Sequence, residues 1–188
     1  MLTALLDTPI GTLTVGATAR GLRQVRFPRD RGREEPGVSG EQAEVGSAGT
    51  STGGGTGAGA EPDRIAQAQL DEALQQLTEY FAGTRTRFDI ALDWHGVSGL
   101  RLTVLKLLAE VPFGETVTYG DLAKGSGAGV TASQAVGGIM GGNPLPIVVP
   151  CHRVLAADGL GGFGGGLRTK EWLLAWEGVM PPALDWGM

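Results

Sequence analysis

One long stretch of this chain has a composition that cannot form a hydrophobic core. Residues 29–62 contain no aromatic residue and no Leu, Ile or Met, and glycine is frequent among them. Such a segment buries too little apolar surface to offset the entropy lost on ordering. We therefore predict a disordered insert over about 29–62. We also expect residues 31–60 to be dispensable for activity, since a long surface loop adds little closure entropy.

The sequence around this insert has the periodicity of a small sheet with one helix. Three strands are predicted, over 2–6, 12–15 and 22–27. Pro62 and Asp63 are expected to open a helix that ends at Gly83, and the alternation over 88–92 indicates one more strand. We interpret residues 1–94 as an N-terminal α/β scaffold domain with an antiparallel sheet, a packed helix and no motif that carries chemistry.

From Ser98 onward the pattern is helical. A short helix over 120–124, a glycine-containing turn and a second helix capped by Thr131 predict a helix-turn-helix. The second helix has a face of almost only small residues, which suits close approach either to a DNA groove or to another element of the domain. We assign 95–180 to a mainly helical, winged-helix-like C-terminal domain and 181–188 to a tail. The predicted fold class is therefore α+β.

Charge and cysteine content exclude several classes of function. The net charge of −5 argues against nucleic-acid binding through overall charge. More than half of that charge lies in the insert, however, and residues 98–180 are neutral, so DNA binding by the C-terminal part stays open. The single cysteine, Cys151, excludes a disulfide framework and a multi-thiolate metal site. We expect neither a metal nor a cofactor.

The apolar runs of the chain are too short to cross a membrane. The N-terminus has no basic residue ahead of its short apolar run, which is not typical of a signal peptide. We therefore expect a cytoplasmic protein with no membrane partner.

The segment with the clearest chemistry is Pro150-Cys151-His152-Arg153. A free thiol has a pKa of about 8.5, so little of it is the reactive thiolate at neutral pH. An imidazole within hydrogen-bond reach would accept the proton, and a carboxylate behind that imidazole would orient it. The Cys-His dipeptide alone is weak evidence, because neighbours in sequence need not face each other. Cys151 is thus either an inert buried thiol or a nucleophile.

Motifs on both sides of this dipeptide resemble the O6-alkylguanine-DNA alkyltransferases. The similar segments are Asn143-Pro144, Ile147-Val148-Val149-Pro150-Cys151-His152-Arg153-Val154, Gly165-Gly166-Leu167, Lys170-Glu171-Trp172-Leu173-Leu174 and Glu177-Gly178. The resemblance is strong over about 112–178. It is looser before that, where only Thr8-Pro9-Ile10-Gly11 and Tyr80-Phe81-Ala82-Gly83 are similar to the family's N-terminal domain.

The resemblance implies a suicide reaction in DNA repair. A protein of this family binds duplex DNA through the minor groove, rotates the damaged guanine out of the stack and moves its alkyl group irreversibly onto a cysteine. The resemblance also suggests O4-alkylthymine as a further substrate. It also implies a monomer that acts without a cofactor.

The resemblance also implies a role for each matching residue. Cys151 would be the acceptor, His152 a base acting through a water, and Glu177 the carboxylate behind it. Asn143 would hold the turn before the nucleophile, and Arg153 would pin the active-site loop. The expected substrate-binding residues are Tyr119, Val154, Phe163 and Gly164. The expected DNA-binding residues are Thr131, Ala132, Ser133, Gln134, Ala135 and Gly137.

This sequence departs from the family at four positions of the predicted site. Gln134 replaces the arginine that fills the space left by the flipped base, and Gly141 replaces a basic residue. Both changes remove positive charge from the face expected to meet DNA. Phe163 replaces a tyrosine beside the alkyl group, and Gly164 replaces a residue with a hydroxyl.

Two other classes of function are open. One is a DNA-binding module that senses alkylated guanine without repairing it, as in the family's alkyltransferase-like branch. That branch lacks the acceptor cysteine, so Cys151 argues against this alternative. The other is a cysteine hydrolase that uses Cys151 and His152, although no segment resembles an oxyanion-hole or protease motif.

Overall fold

The computed structural model describes residues 1–28 and 60–182. The predicted insert therefore lies outside the described residues except for 60–62, and so does most of the predicted tail, from 183 onward. Among the residues that are described, no helix combines the length and the apolarity needed to cross a membrane. The expected cytoplasmic location stays a prediction.

The N-terminal part contains the predicted antiparallel sheet. Its strands are β1 (Leu2–Leu6), β2 (Leu13–Thr18) and β3 (Gly21–Arg26), in the order β1-β2-β3. The three predicted strands are confirmed, but β2 continues three residues beyond the predicted end at 15. The pairing of β2 with β3 shifts register between Gly16 and Ala17, and both residues are buried. This irregularity ends the simple alternation at Val15 although the strand continues.

Helix α1 (Ala60–Phe81) packs against this sheet through a buried stripe that includes Leu70, Ala73 and Leu77. It begins two residues before Pro62, whose missing N–H is tolerated in the first turn because no intrahelical acceptor exists there. The helix ends as predicted at a glycine, since Gly83 has φ of +75° and its N–H donates to the Tyr80 carbonyl.

The strand predicted over 88–92 is wrong. The segment forms a single parallel bridge, between Leu22 and Leu92, next to β3. Further along, the Gln76 side chain of α1 accepts from the Asp89 N–H at 2.8 Å and donates to the Asp89 carbonyl at 3.0 Å. This amide occupies both backbone groups of Asp89, so they are not available to a strand ladder.

The C-terminal part is mainly helical, as predicted. Its elements are α2 (Gly99–Ala109), β4 (Val117–Thr118), α3 (Tyr119–Gly125), α4 (Ser133–Gly141), β5 (Val154–Leu155) and α5 (Leu167–Trp176). Strands β4 and β5 form a parallel pair. Helices α3 and α4 pack together as the helix-turn-helix.

The prediction that Thr131 caps the second of these helices is wrong. Residues Val130–Ala132 form a 3-10 turn, and α4 begins at Ser133 without a side-chain cap. Thr131 lies inside that turn, so it does not occupy the position before the first helical residue. The Thr118 side chain instead caps α3, where it forms a reciprocal pair of hydrogen bonds with Asp121.

The two parts share one hydrophobic core and also meet through polar contacts. The Val25 N–H of β3 donates to the Pro144 carbonyl at 2.9 Å, just before the predicted nucleophile segment. At the other end of the interface, the indole N–H of Trp176 in α5 donates to the Tyr80 carbonyl of α1 at 3.2 Å. The N-terminal part is therefore in direct contact with both segments that carry predicted catalytic residues.

Candidate active site

Cys151 begins a 3-10 turn, Cys151–Arg153, that follows a completely buried run over 145–150. Only 5% of the residue is exposed. Burial raises the pKa of the thiol to about 11, although hydrogen bonding to Asn143 opposes this effect. At neutral pH the sulfur is consequently a thiol, and it needs a base before it can act as a nucleophile.

Asn143 braces the turn that leads from α4 to this cysteine. Its amide Nδ2 donates to the Val149 carbonyl at 2.8 Å, and its Oδ1 accepts from the Leu145 N–H at 3.0 Å. Between these contacts, Ile147 is fully buried with φ of +74°, a conformation that β-branched residues rarely adopt. The asparagine therefore spans a backbone segment held in an unfavourable conformation.

His152, the residue after the cysteine in the sequence, forms a buried pair with Glu177. His152 Nε2 lies 2.8 Å from Glu177 Oε1, and neither side chain is exposed. The carboxylate accepts the proton on Nε2, which leaves Nδ1 as the basic nitrogen. This Nδ1 has no hydrogen-bond partner in the part of the chain that the structure describes. Burial lowers the pKa of His152, so the imidazole is neutral and ready to accept a proton.

Glu177 ends α5 and accepts hydrogen bonds at both carboxylate oxygens. Oε1 accepts from Tyr80 Oη at 2.8 Å, from His152 Nε2, and from Arg153 Nη2 at 2.9 Å. Oε2 accepts from Arg153 Nε at 2.8 Å and from the Gly114 N–H at 3.3 Å. Burial opposes ionisation, but the bonds from His152 and Arg153 outweigh it and lower the pKa of Glu177 to about 2. The carboxylate is charged at neutral pH.

A cavity of about 260 Å³ opens onto the cysteine. Its lining residues are Tyr119, Gly137, Met140, Gly141, Cys151, Gly162, Phe163 and Gly164. Tyr119, Phe163 and Gly164 thus lie where the resemblance predicted substrate-binding residues. Tyr119 Oη donates to the Gly162 carbonyl at 3.3 Å across the mouth of the cavity. A larger cleft of about 530 Å³ is lined by Arg153 but not by Cys151, and it contains no nucleophile.

Val154 is placed differently from the other predicted substrate-binding residues. It is fully buried and does not line the cavity. Its carbonyl accepts a hydrogen bond from Lys170 Nζ at 2.6 Å, and the same ammonium also donates to the carbonyls of Leu160 and Gly162. Lys170 therefore ties the loop over 154–162 beneath the cavity. Burial lowers its pKa to about 8.

The six residues predicted to contact DNA lie on the 3-10 turn and on α4. Thr131, Gln134 and Ala135 are exposed, whereas Ala132, Ser133 and Gly137 are partly buried. The Ser133 hydroxyl donates to the Val130 carbonyl, which keeps that side chain within the turn. Gly137 lines the cavity, so one side of α4 borders the opening through which a substrate would reach the cysteine.

The N-terminal part, which we expect to be a scaffold, contacts the candidate site at two places. The Tyr80 hydroxyl binds Glu177, and the Phe27 ring packs edge-on against Phe163 with 5.4 Å between ring centroids. Tyr80 belongs to a motif that was noted only for its resemblance to the family. Lys170 is fully buried, as a lysine rarely is unless its ammonium is bound, but the polar sequence around it gives no sign of this burial.

The arrangement provides a nucleophile, a neutral base, an orienting carboxylate and a small cavity. Within residues 1–28 and 60–182, no group of three or more His, Cys, Asp or Glu side chains could hold a metal ion. Such a site can transfer a group onto sulfur without a metal, because the base activates the thiol while the cavity holds the carbon that is attacked.

Two family models match successive parts of the chain. Residues 1–94 match the ribonuclease-like domain of 6-O-methylguanine DNA methyltransferase. Residues 100–179 match the DNA-binding domain of the same family. The resemblance inferred from the sequence motifs is thereby confirmed.

Individual relatives agree with this assignment. A methylated-DNA–protein-cysteine methyltransferase of Mycolicibacterium paratuberculosis is 50% identical over 112 residues, which are 59% of this chain and 67% of the relative. The protein of that name from Methanosarcina acetivorans is 36% identical over 178 residues, which are 93% of this chain and 97% of the relative. The crystal structure of Mycobacterium tuberculosis OGT in complex with DNA has a TM-score of 0.68 and 33% identity, and the match covers 94% of this chain and 93% of that chain.

Proposed function

Because the chain belongs to the 6-O-methylguanine DNA methyltransferase family, we propose that it repairs DNA by moving the alkyl group of O6-alkylguanine onto its own Cys151. The observation that carries the proposal is the buried Cys151 at a small cavity, next to the His152–Glu177 pair. The reaction is stoichiometric because the sequence has one cysteine, and it is irreversible because the product is a stable thioether. O4-alkylthymine is a second substrate to test.

In the proposed reaction the Cys151 sulfur forms a bond to the alkyl carbon while the bond from that carbon to O6 breaks. The thiol proton passes through a water to His152 Nδ1, the nitrogen with no partner among the described protein atoms. The electron pair of the broken bond stays on the guanine, which takes up one proton from water as it leaves, and the His152 imidazolium then returns its proton to water. Glu177 stabilises the imidazolium that forms in between.

The base is necessary because the free thiol ionises too little. With a pKa of about 11, roughly one thiol in ten thousand is ionised at pH 7. Proton transfer to a neutral imidazole inside the site supplies the thiolate only when a substrate is in place. Burial raises the pKa of Tyr119, so its phenol stays protonated. The phenol can then donate a hydrogen bond to the guanine.

We also propose that α4 enters the minor groove and that the target base rotates into the cavity. The small face of α4 supports this, because a Cβ added at Gly137, Gly138 or Gly141 would meet no atom within 4 Å. That face therefore does not pack against another described element, which favours the DNA-groove interpretation over helix packing. The helix borders the cavity, so a base leaving the duplex there has a short path to Cys151. A monomer suffices, since all of these groups come from one chain.

Intact-mass spectrometry tests the proposed function directly. One equivalent of duplex with a single O6-methylguanine should add one methyl group, about 14 Da, and excess duplex should add no more. Cys151→Ala should bind the duplex and gain no mass. Unmethylated duplex is the matched control for the protein without substitutions. Repeated turnover, or a mass gain in the alanine variant, would contradict the proposal.

A further inference from the structure

Tyr80 reaches the catalytic pair from the opposite part of the chain. It lies in the last turn of α1 and is fully buried. Its hydroxyl donates to Glu177 Oε1 at 2.8 Å, the same oxygen that faces His152 Nε2 at 2.8 Å. A single carboxylate oxygen therefore joins a tyrosine of the N-terminal part to the base of the proposed reaction.

We propose that Tyr80 is a positioning residue for alkyl transfer, which fixes the orientation of Glu177 and sets the basicity of His152 through that carboxylate. This inference rests on the function proposed above and deepens it. It assigns part of the reaction machinery to the N-terminal part, which sequence reasoning treats as a scaffold.

The surroundings of Tyr80 hold its hydroxyl in one place. Its ring packs against Phe81, Phe88 and Phe113, with centroid distances of 5.1, 5.5 and 6.1 Å. Its carbonyl accepts from the indole of Trp176, the residue before Glu177. The end of α1 is thus attached to the end of α5 by main chain and side chain together. A phenol fixed in this way donates in one direction only.

The hydroxyl stays a donor over the whole working range of pH. Burial and the charge of Glu177 raise the pKa of Tyr80 well above its usual value, although the charge of Arg153 opposes this. The other charged groups that act on the His152–Glu177 pair are Arg153 and Lys170. Arg153 binds both carboxylate oxygens, so it holds the charge but does not single out the oxygen that faces His152.

Loss of the hydroxyl should change the base in two ways. With one donor fewer, Oε1 attracts the His152 Nε2 proton more strongly, so the pKa of His152 rises. Arg153 would still bind both oxygens, but Oε1 would lose the donor that holds it from the α1 side, so the carboxylate and the His152 ring bound to it would shift. The alkyl-transfer rate should fall, and its decline on the acid side should begin at a higher pH.

The test measures the alkylation rate of Tyr80→Phe by free O6-benzylguanine between pH 5 and 9, so that DNA binding plays no part. We expect a roughly five- to fiftyfold lower plateau rate, as is usual when a hydrogen bond to a charged group is lost. The acid limb, which is the part of the pH profile where the rate declines toward low pH, should move to higher pH by about half a unit or more. Phe81→Leu is the matched control, because it removes a neighbouring ring of the same cluster and no hydrogen bond. It should lower the melting temperature and leave the acid limb in place.

A second measurement keeps the hydroxyl and changes its strength as a donor. The chain has two tyrosines, so 3-fluorotyrosine labels Tyr80 alone in a Tyr119→Phe background. Fluorination makes the phenol a stronger donor, and the acid limb should then move to lower pH than in the unlabelled background protein. An unchanged acid limb in the fluorotyrosine-labelled protein would overturn the inference. An unchanged acid limb in a folded Tyr80→Phe variant would do the same. If the protein without substitutions does not react at all, the proposed function itself fails.

Discussion

At the scale of single residues, the site combines a thiol that resists ionisation with a base that resists protonation. Burial raises the pKa of Cys151 to about 11 and lowers the pKa of His152. Glu177 is the charged group that makes this pair usable, since its pKa of about 2 keeps it ionised whenever His152 accepts a proton. The reactive ion pair therefore forms transiently and does not persist in the resting protein.

Asn143 is the residue whose loss should disturb this arrangement from the backbone side. Asn143→Ala removes its bonds to Val149 and Leu145, each worth about 1 kcal/mol. The Leu145 N–H loses its side-chain acceptor, whereas the Val149 carbonyl still accepts from the Cys151 N–H at 2.8 Å. We expect a stability loss of about 2–3 kcal/mol by urea unfolding. We also expect at least a tenfold lower alkylation rate, because the turn positions the sulfur.

Asn143→Asp is the matched control for this change. The aspartate keeps an acceptor for the Leu145 N–H but has no donor for the Val149 carbonyl. It should therefore fall between the natural protein and the alanine variant in stability. An alanine variant with unchanged rate and unchanged urea midpoint would show that the turn holds without the side chain.

At the scale of elements, helix α4 is the element that we propose enters the DNA groove. Gln134 is exposed on this helix, where the family has an arginine that stabilises the flipped state. We expect Gln134→Arg to raise the second-order rate on methylated duplex by roughly ten- to thirtyfold, or about 1–2 kcal/mol. The rate with free O6-benzylguanine, measured in parallel, should not change because that substrate needs no flipping. Equal changes in both rates, or a slower duplex reaction, would mean that Gln134 does not occupy the flipping position.

The end of β3 supports the opposite wall of the cavity. The Phe27 ring packs on Phe163, and a Cβ added at Gly165 would come within 3.0 Å of both rings. Phe27→Ala should leave Phe163 mobile and widen the cavity. We expect the ratio of the O6-benzylguanine rate to the O6-methylguanine rate to rise several-fold in parallel assays. Leu5→Ala, on an exposed position of β1, is the control and should leave the ratio unchanged. A constant ratio in the Phe27 variant would contradict this role for the ring.

Elements with regular periodicity could be predicted from the sequence, and elements determined by distant contacts could not. The alternation of Leu13 and Val15 with threonines indicated β2, and the glycine at 83 marked the end of α1. The segment over 88–92 alternates in the same way, yet Gln76 of α1 takes the backbone groups of Asp89. Thr131 is a good capping residue by type, but a 3-10 turn places it one turn too early. The local sequence pattern carries no information about the Gln76 contact or about the 3-10 turn.

In the candidate site too, some residues could be predicted from sequence motifs and others depend on contacts between distant segments. Cys151, His152 and Glu177 could be named because their motifs resemble those of a known family. The resemblance gave no reason to place Tyr80 or Phe27 near them, since both lie more than 70 positions earlier in the chain. Their contacts exist because α1 and β3 pack against the C-terminal part. Contacts between distant segments have no signature in a single sequence.

At the scale of the whole molecule, two buried carboxylates should control stability in acid. Hydrogen bonds lower the pKa of Glu177 from 4.5 to about 2, and those from Arg20, Thr18 and His95 lower the pKa of Asp93 from 3.8 to about 2, against the opposing effect of burial. The unfolded chain therefore takes up protons at a higher pH than the folded one. The stabilisation is complete above about pH 4.5 and is lost as the pH falls toward 2.

Urea unfolding between pH 7 and pH 2.5 measures this effect. We expect stability to fall gradually below about pH 6.5, where His152 of the unfolded chain takes up a proton that burial opposes in the folded protein. Below about pH 4.5 the fall should become steeper, with Glu177 alone contributing roughly 3 kcal/mol. Asp93→Asn should lower stability at pH 7 and make the remaining pH dependence shallower. The domains should unfold in one transition, because Glu177 is bound by groups from both. A stability that does not change between pH 5 and 2.5 would contradict this account.

The burial of Cys151 also has a consequence for the time before any lesion is met. Oxidants and soluble electrophiles attack exposed thiolates, and a thiol with 5% exposure and a pKa of about 11 offers them almost none. A protein that reacts only once is inactivated by the first oxidant or electrophile that modifies its sulfur. The fold keeps the sulfur protonated and enclosed until a target guanine fills the cavity. It therefore protects the protein from inactivation before it meets a lesion.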